Sequence, residues 1–278
     1  MDRALARRLE RTEAAINASF VEARSRLVPA LGATWTDMGG AYLLFDGVGS
    51  PMTQSFGLGL WEPVTPEQLA RMEAFFFDRG AEVFHEVSPR AGAAVFTLLS
   101  ERGYHPVELT SVLVQPLPAE AAAGALAPGL SARAAGPDEA NAWIDTSVAG
   151  WNERAELAEH IRKIATVAFQ NPAVASFLVE REGKPVATGS LGVHGDAALL
   201  AGASTLPEER GRGAQRALLG ARLAEAHRRG CTVAVMGAEP GSTSQRNAER
   251  NGFRVAYTRV KWHLPRPVAS SGARPRAE

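Results

Sequence analysis

Cysteine is almost absent from this sequence: Cys231 stands alone among 278 residues, which excludes an internal disulfide. No set of Cys and His has zinc-ligand spacing, so no metal is expected. An excess of charge is missing as well. Thirty Lys plus Arg face thirty Asp plus Glu, so no global field favours nucleic acid or an anionic membrane, and any anion site must be local. Long apolar runs are missing too. The opening MDRALARRLERTEAAI is broken by charges and lacks a signal-peptide core, no other stretch suits a bilayer span, and a reducing cytoplasm is the expected compartment. What is present, 45% apolar and 22% charged residues, is enough for one large or two medium cores.

From Gln115 the chain reads QPLPAEAAAGALAPGL, short of charge and periodicity and punctuated by proline, which marks a linker over 116–130. The final residues, 266–278, have the composition of a frayed tail. The two sides of the linker resemble each other. A helix ending FFDRG, the run AEVFHEV, a helical AGAAVFTLLSERGY and then VELTSVLVQPL are matched after the linker by HRRG, CTVAVMGA, SQRNAERNGF and VAYTRVKWHL. Arg79-Gly80 corresponds to Arg229-Gly230, and Gly103-Tyr104 to Gly252-Phe253. Glycine followed by an aromatic suits a helix C-terminus, where glycine takes the left-handed cap.

Within the second half, two helical stretches (137–151 and 153–169) precede three strand-like runs, SFLVERE, PVATGSLGV and AALLAGASTL, joined by turns at Glu182-Gly183-Lys184 and His194-Gly195-Asp196. An antiparallel meander follows from that pattern. The expected order is a short strand, two helices, three strands, helix, strand, helix, strand. Residues 2–28 read as another helix, with Leu5, Leu9, Ile16, Phe20 and Leu27 near one face, suited to the first half's helical layer.

The segment richest in chemistry is LPEERGRGAQRALL, Leu206 to Leu219, which follows a strand and opens a helix. Gly211 and Gly213 permit close backbone approach, free amides at a helix start favour phosphate, and Arg210, Arg212 and Arg216 add cationic donors. A solvated basic turn is the plainer alternative. A dinucleotide fingerprint fits poorly, because Arg216 occupies the third glycine position and an antiparallel meander precedes the loop. No Walker sequence follows a strand and no GxSxG elbow is present.

These residues resemble the GNAT superfamily of acyl-CoA-dependent N-acetyltransferases over approximately Leu130 to Leu264. The family's pyrophosphate motif is met at Arg210 and Gly213 and departs at Gln215, where a small residue is usual. GSTSQRNAERNGF looks like the family's following helix, and the first half looks like a degenerate copy. The resemblance implies an α/β (α+β) architecture of tandem GNAT-like domains, each with a mixed, mainly antiparallel sheet flanked by helices: 1–115 without a cofactor loop, and 131–265 binding acetyl-CoA. It implies that Ser204, Thr205 and Leu206 pair with the pantetheine arm. Arg210, Gly211, Arg212, Gly213, Ala214, Gln215 and Arg216 would hold the pyrophosphate, and Asn247 would touch the cofactor. Many family members place a Tyr four residues before the glycine of the Gly-Phe pair; Ala248 stands there.

Ser242 and Gln245 have capping-box spacing, which puts Ser244, Asn247 and Asn251 on one helix face. Ser244 is the candidate proton donor. Cys231 reads as a small buried residue, and the six histidines are scattered and read as structural or solvated. Trp143, Trp151 and Phe169 suit core packing or an amine pocket, and Glu153, Glu156 and Glu159 either attract an ammonium or face water. The expected activity is acetyl transfer from acetyl-CoA to a primary amine of a small molecule or peptide by direct attack, with no protein nucleophile. A non-catalytic acyl-CoA sensor or binding module is the alternative.

Overall fold

The computed structural model describes residues 2–117, 127–151 and 158–267. The chain opens with helix α1 (Arg3–Leu27), capped by Asp2, whose carboxylate accepts from the Leu5 amide. The first half continues through β1 (Thr34–Met38), β2 (Ala41–Phe45), β3 (Gln54–Phe56), α2 (Pro66–Phe77), β4 (Val83–Val87), α3 (Ala93–Glu101) and β5 (His105–Pro116). The second half contains β6 (Leu130–Ala134), α4 (Ala140–Trp151), α5 (Ala158–Gln170), β7 (Val174–Arg181), β8 (Lys184–His194) and β9 (Ala197–Thr205). It ends with α6 (Ala214–Arg228), β10 (Val233–Ala238), α7 (Thr243–Arg250) and β11 (Arg254–Leu264). Most of the expected linker and tail lies outside the described residues. Among the described residues no helix is long and apolar enough to cross a membrane.

Among the described residues eleven strands form one mixed sheet in the order β1-β2-β3-β4-β11-β5-β10-β9-β8-β7-β6. Only β3 with β4 and β9 with β10 run parallel. The order from β1 to β4 is mirrored by that from β7 to β10, but the last strands of the halves have changed sides. β11 lies between β4 and β5, and β5 lies between β11 and β10. The sheet runs without a break across both halves.

Local chemistry explains why the two helix-strand junctions look alike. Gly80 and Gly230 take φ of 78° and 80°, letting the Ala81 amide reach back to Phe76 O (3.1 Å) and the Cys231 amide to Ala226 O (3.0 Å). Gly103 and Gly252 do the same at φ 90° and 97°, and Tyr104 and Phe253 are buried behind them.

Strand alternation sends neighbouring residues to opposite faces. Leu113, Ala198, Leu200 and Ala234 pack under α6 and α7, whereas Val112, Ala197, Leu199, Val233 and Val235 pack under α1. Helices α4 and α5 bury Leu178 on the α1 side. The sequence pattern suited α1 to the first half's helical layer; the structure extends it over strands of both halves. Ile16 packs against Gly192, where a Cβ would lie 2.7 Å from Ile16 Cδ1. Ser19 Oγ accepts from Asn171 Nδ2 (2.9 Å), and Arg8 pairs with Asp196 (2.8 Å). Periodicity states which face of a helix is apolar, not which strands it covers.

Beneath α1, β11 brings Arg259 into a buried carboxylate cluster. Its guanidinium donates to both oxygens of Glu13 (2.6 and 2.7 Å) and stands 3.6 Å from Glu10. Arg259 Nε is 2.9 Å from Glu86 Oε2 but out of line for a hydrogen bond, so that contact is an ion pair only. Tyr257 donates to Glu10 Oε1 (2.7 Å). Burial raises the Glu10 pKa to about 7, against the opposing pull of Arg259.

A carboxyl that holds its proton more tightly when folded makes the protein less stable as pH rises from its unfolded pKa to its folded one. Glu10→Gln removes that dependence. Equilibrium urea unfolding is expected to give equal stabilities near pH 4.5 and a variant more stable by on the order of 3 kcal/mol at pH 8.

Candidate active site

The site begins where two parallel strands part. β9 and β10 pair through Ala197–Val233, Ala198–Ala234 and Leu199–Val235 and no further, although β9 runs on to Thr205 and β10 to Ala238. A bulge accompanies the separation: Ser190 faces Ala201 and Thr188 faces Ser204, so Gly189 is opposed by two residues, Gly202 (φ 60°) and Ala203. Ala201, Gly202 and Gly237 are exposed in the opening.

Arg222 braces the bulge from the α6 side. Its buried guanidinium donates to Ser190 O (3.3 Å), Ala201 O (3.4 Å) and Leu218 O (3.4 Å), and among the described residues no carboxylate pairs with it. Burial lowers its pKa to about 10. Gly189 makes the space, since a Cβ there would lie 3.0 Å from Arg222 Nη1. Sequence reasoning missed this residue, although a charge on the apolar stripe of α6 was a visible signal.

Beyond β9 a 3-10 turn, Pro207–Glu209, leads to Gly211 (φ 75°) and Gly213 (φ 91°). Any other residue at these two positions would be strained. Gly213 is the N-cap of α6 and supplies no capping side chain, so the amides of Ala214, Gln215 and Arg216 have no acceptor within the helix. The first helical bond is that of Ala217 to Gly213 O. Two of the three loop arginines face the scaffold. Arg210 donates to Gly150 O (3.0 Å) and Thr205 O (3.4 Å), and Arg212 pairs with Glu209 (2.7 Å), which also holds Arg181 (2.7 Å). Arg216 is exposed and makes no hydrogen bond or ion pair with the described residues.

The side chains of Ser204 and Thr205 are buried; Ser204 Oγ meets Thr188 Oγ1 at 2.8 Å. Gly150 of α4 lies against them, where a Cβ would be 2.9 Å from Ser204 Oγ. These residues therefore offer the opening main chain, not side chains. Leu206 donates its amide to Val186 O (3.0 Å) on β8. Successive strand amides point to opposite edges, so the Thr205 amide points to the edge that β10 has left.

Helix α7 follows β10 and joins the core under α6 through Ala248. Ser242 caps it by accepting from the Gln245 amide (3.1 Å), while Gln245 Oε1 accepts from Gly241 rather than from Ser242. Ser244 is exposed, Asn247 half-buried and Ala248 buried. Trp143 is a core residue donating to Phe177 O (3.0 Å), Phe169 packs beside it, and Trp151 is 52% exposed. Glu159 is exposed and 3.4 Å from Lys163. Glu153 and Glu156 lie outside the described residues. Cys231 is buried, and burial raises its thiol pKa.

The corresponding region of the first half is filled. Trp61 packs over Gly40 and Gly57, at each of which a Cβ would lie 2.6 Å from its side chain. Arg3 and Arg7 of α1 donate to Gly59 O and Leu60 O, and the start of α2 is closed by a complete capping box between Thr65 and Gln68. Where β3 meets β4, a polar chain runs through the core. Glu73 accepts from the Tyr104 hydroxyl (3.3 Å), so His85 Nε2 donates to Tyr104 (3.1 Å) and His85 Nδ1 accepts from Ser55 Oγ (2.5 Å). Burial lowers the His85 pKa to about 3, so the ring is neutral.

Comparison with known proteins places this geometry. Residues 140–253 match the model of the Acetyltransferase (GNAT) family. No curated protein is found as a sequence relative. Among solved structures, a GCN5-related N-acetyltransferase from Kribbella flavida is similar at TM-score 0.63 and 20% identity, covering 89% of this chain and 96% of its own. One from Sphaerobacter thermophilus gives 0.58 and 18%, over 82% and 81%. A tandem GNAT protein from the clavulanic acid biosynthesis pathway gives 0.60 and 14%, over 84% and 82%. The second half thus carries a GNAT acetyltransferase domain, within a chain whose fold is that of these proteins.

The polar chain of the first half is structural. Tyr104→Phe leaves His85 Nε2–H without its acceptor and is expected to cost about 1–3 kcal/mol in urea unfolding.

Proposed function

We propose that the GNAT domain transfers an acetyl group from acetyl-CoA to a primary amine of a small molecule or peptide. The observation that carries this reading is the bulged opening between β9 and β10, set beside the uncapped, glycine-started helix α6. The free amides of residues 214–216 and the exposed Arg216 suit a pyrophosphate. Gly211 and Gly213 allow its approach, while Arg210 and Arg212 hold the loop's shape. The unpaired edge of β9 suits the amide-bearing pantetheine arm, and Asn247 faces the cofactor from α7. Gln215 narrows the cradle relative to the family motif.

In this reading the deprotonated amine attacks the thioester carbon directly. The Thr205 amide donates to the carbonyl oxygen as negative charge develops there, the attacking nitrogen gives up a proton to solvent as the new amide forms, the C–S bond breaks, and the CoA thiolate takes a proton. Ala248 cannot supply that proton. Ser244, one turn earlier on the exposed helix, donates it or orders a water that does. A thiolate with a pKa of about 8.5 is a tolerable leaving group near neutral pH, so this step needs little help.

The first half is proposed to be a degenerate copy, spanning 1–115, that binds no cofactor; Trp61, the capping box of α2 and the His85 chain support this. Calorimetry with acetyl-CoA is then expected to give one site per chain. Gly213→Asp, which adds a strained residue and a carboxylate to the cradle, is expected to abolish that site. A stoichiometry of two, or unchanged affinity in the folded variant, contradicts the assignment.

Turnover is read by thiol release with a panel of amines. Ser244→Ala is expected to slow it about tenfold, or about 1.4 kcal/mol, with CoA affinity unchanged. Unchanged turnover removes Ser244 from the mechanism. The absence of a tyrosine at Ala248 favours one second reading, a non-catalytic acyl-CoA sensor, for which CoA binds and no amine in the panel releases thiol.

A further inference from the structure

The exchange of strands produces a juxtaposition that the spacing of histidines in the sequence conceals. His105 opens β5 and His263 lies near the end of β11; the two are direct partners across the antiparallel ladder. Their facing nitrogens, His105 Nε2 and His263 Nδ1, are 3.2 Å apart. Two nitrogens bound about 2.0–2.1 Å from one tetrahedral ion stand about 3.3 Å apart, so the spacing is that of a chelating pair, and the rings need only turn until both lone pairs converge on the ion. His105 is exposed, which leaves the pair open to solvent.

The surroundings of His263 fix its chemistry. Its Nε2 is 3.0 Å from Glu82 Oε2, just ahead of β4, and an ionised carboxylate only accepts; the ring proton therefore sits on Nε2 and the lone pair of Nδ1 points at His105. Phe84 stacks on the ring at 4.4 Å and 10° and holds its plane. A carboxylate on the far nitrogen of a ligating histidine is the arrangement that orients such ligands and raises their basicity. Without an ion, His105 Nε2–H donates to His263 Nδ1. Moving that proton to the other nitrogen of the His105 ring turns both facing atoms into lone-pair donors.

We propose that His105 and His263 form a two-histidine site for a divalent transition-metal ion, such as Zn²⁺ or Ni²⁺, with Glu82 as its outer support. Imidazole suits these ions. Glu82 lies behind the ring rather than on the ion, and among the described residues no group of three His, Cys, Asp or Glu could hold a metal, so water fills the other positions. The ion would clip the last strand of the first half to the last strand of the second.

The test uses the full chain without an affinity tag, titrated with ZnCl₂ and with NiCl₂ by calorimetry and by thermal unfolding. One ion per chain and a raised Tm are expected. His105→Ala and His263→Ala, at a solvent-open site, are each expected to remove both effects, and Glu82→Gln to weaken binding about tenfold. Absence of binding by the parent overturns the proposal, as does binding by either histidine variant equal to the parent's. Equal binding by Glu82→Gln overturns the role of Glu82. None of these outcomes depends on acetyl-CoA.

Discussion

Arg259 is the point on which the two halves agree. It belongs to β11, the last strand of the chain, yet its guanidinium is committed to Glu13 of α1 and Glu86 of β4. A buried ion cluster is a poor source of net stability, because desolvation offsets most of the attraction. Its value lies in discrimination. With three carboxylates and one guanidinium out of water, only one placement of β11 satisfies them, and a slip of one residue would turn Arg259 to the other face. Once β11 is placed between β4 and β5, β5 is necessarily displaced toward β10, and the sheet becomes continuous.

That continuous sheet carries two similar arrangements with opposite uses. In both halves a glycine-bearing loop and a helix connect the two strands of a parallel pair. In the second half the loop ends in an uncapped helix, and β9 outruns its pairing with β10 by six residues, from Leu200 to Thr205. In the first half β3 stops at Phe56, Trp61 covers the glycines, and arginines from α1 take the loop's carbonyls. Whether a site is open here depends on whether main-chain donors already have partners.

Much of the second half was legible in the sequence because its signals are local. The Gly-aromatic caps, the meander turns and the glycines of the α6 loop each act within a few residues, and each appears where the pattern put it. The features that were not legible are contacts between distant segments. Nothing near His105 marks His263 as its partner 158 residues later, and nothing in α1 states that Ile16 will meet Gly192. The loop arginines show the same limit: their number was visible, but the turn of Arg210 toward Gly150 and of Arg212 toward Glu209 depends on where α4 and the 3-10 turn come to lie.

The placement of β11 also has a consequence for the order of events at the ribosome. A chain emerging from its N-terminus completes β4 and β5 long before β11, and these two strands are never neighbours in the finished sheet. Until β10 and β11 are made, β4 keeps one bare edge and β5, which pairs only with those two strands, keeps two. Domains usually finish folding as they are synthesised, first half first. Here the first half keeps bare strand edges until β11 arrives, open meanwhile to mispairing with other nascent chains.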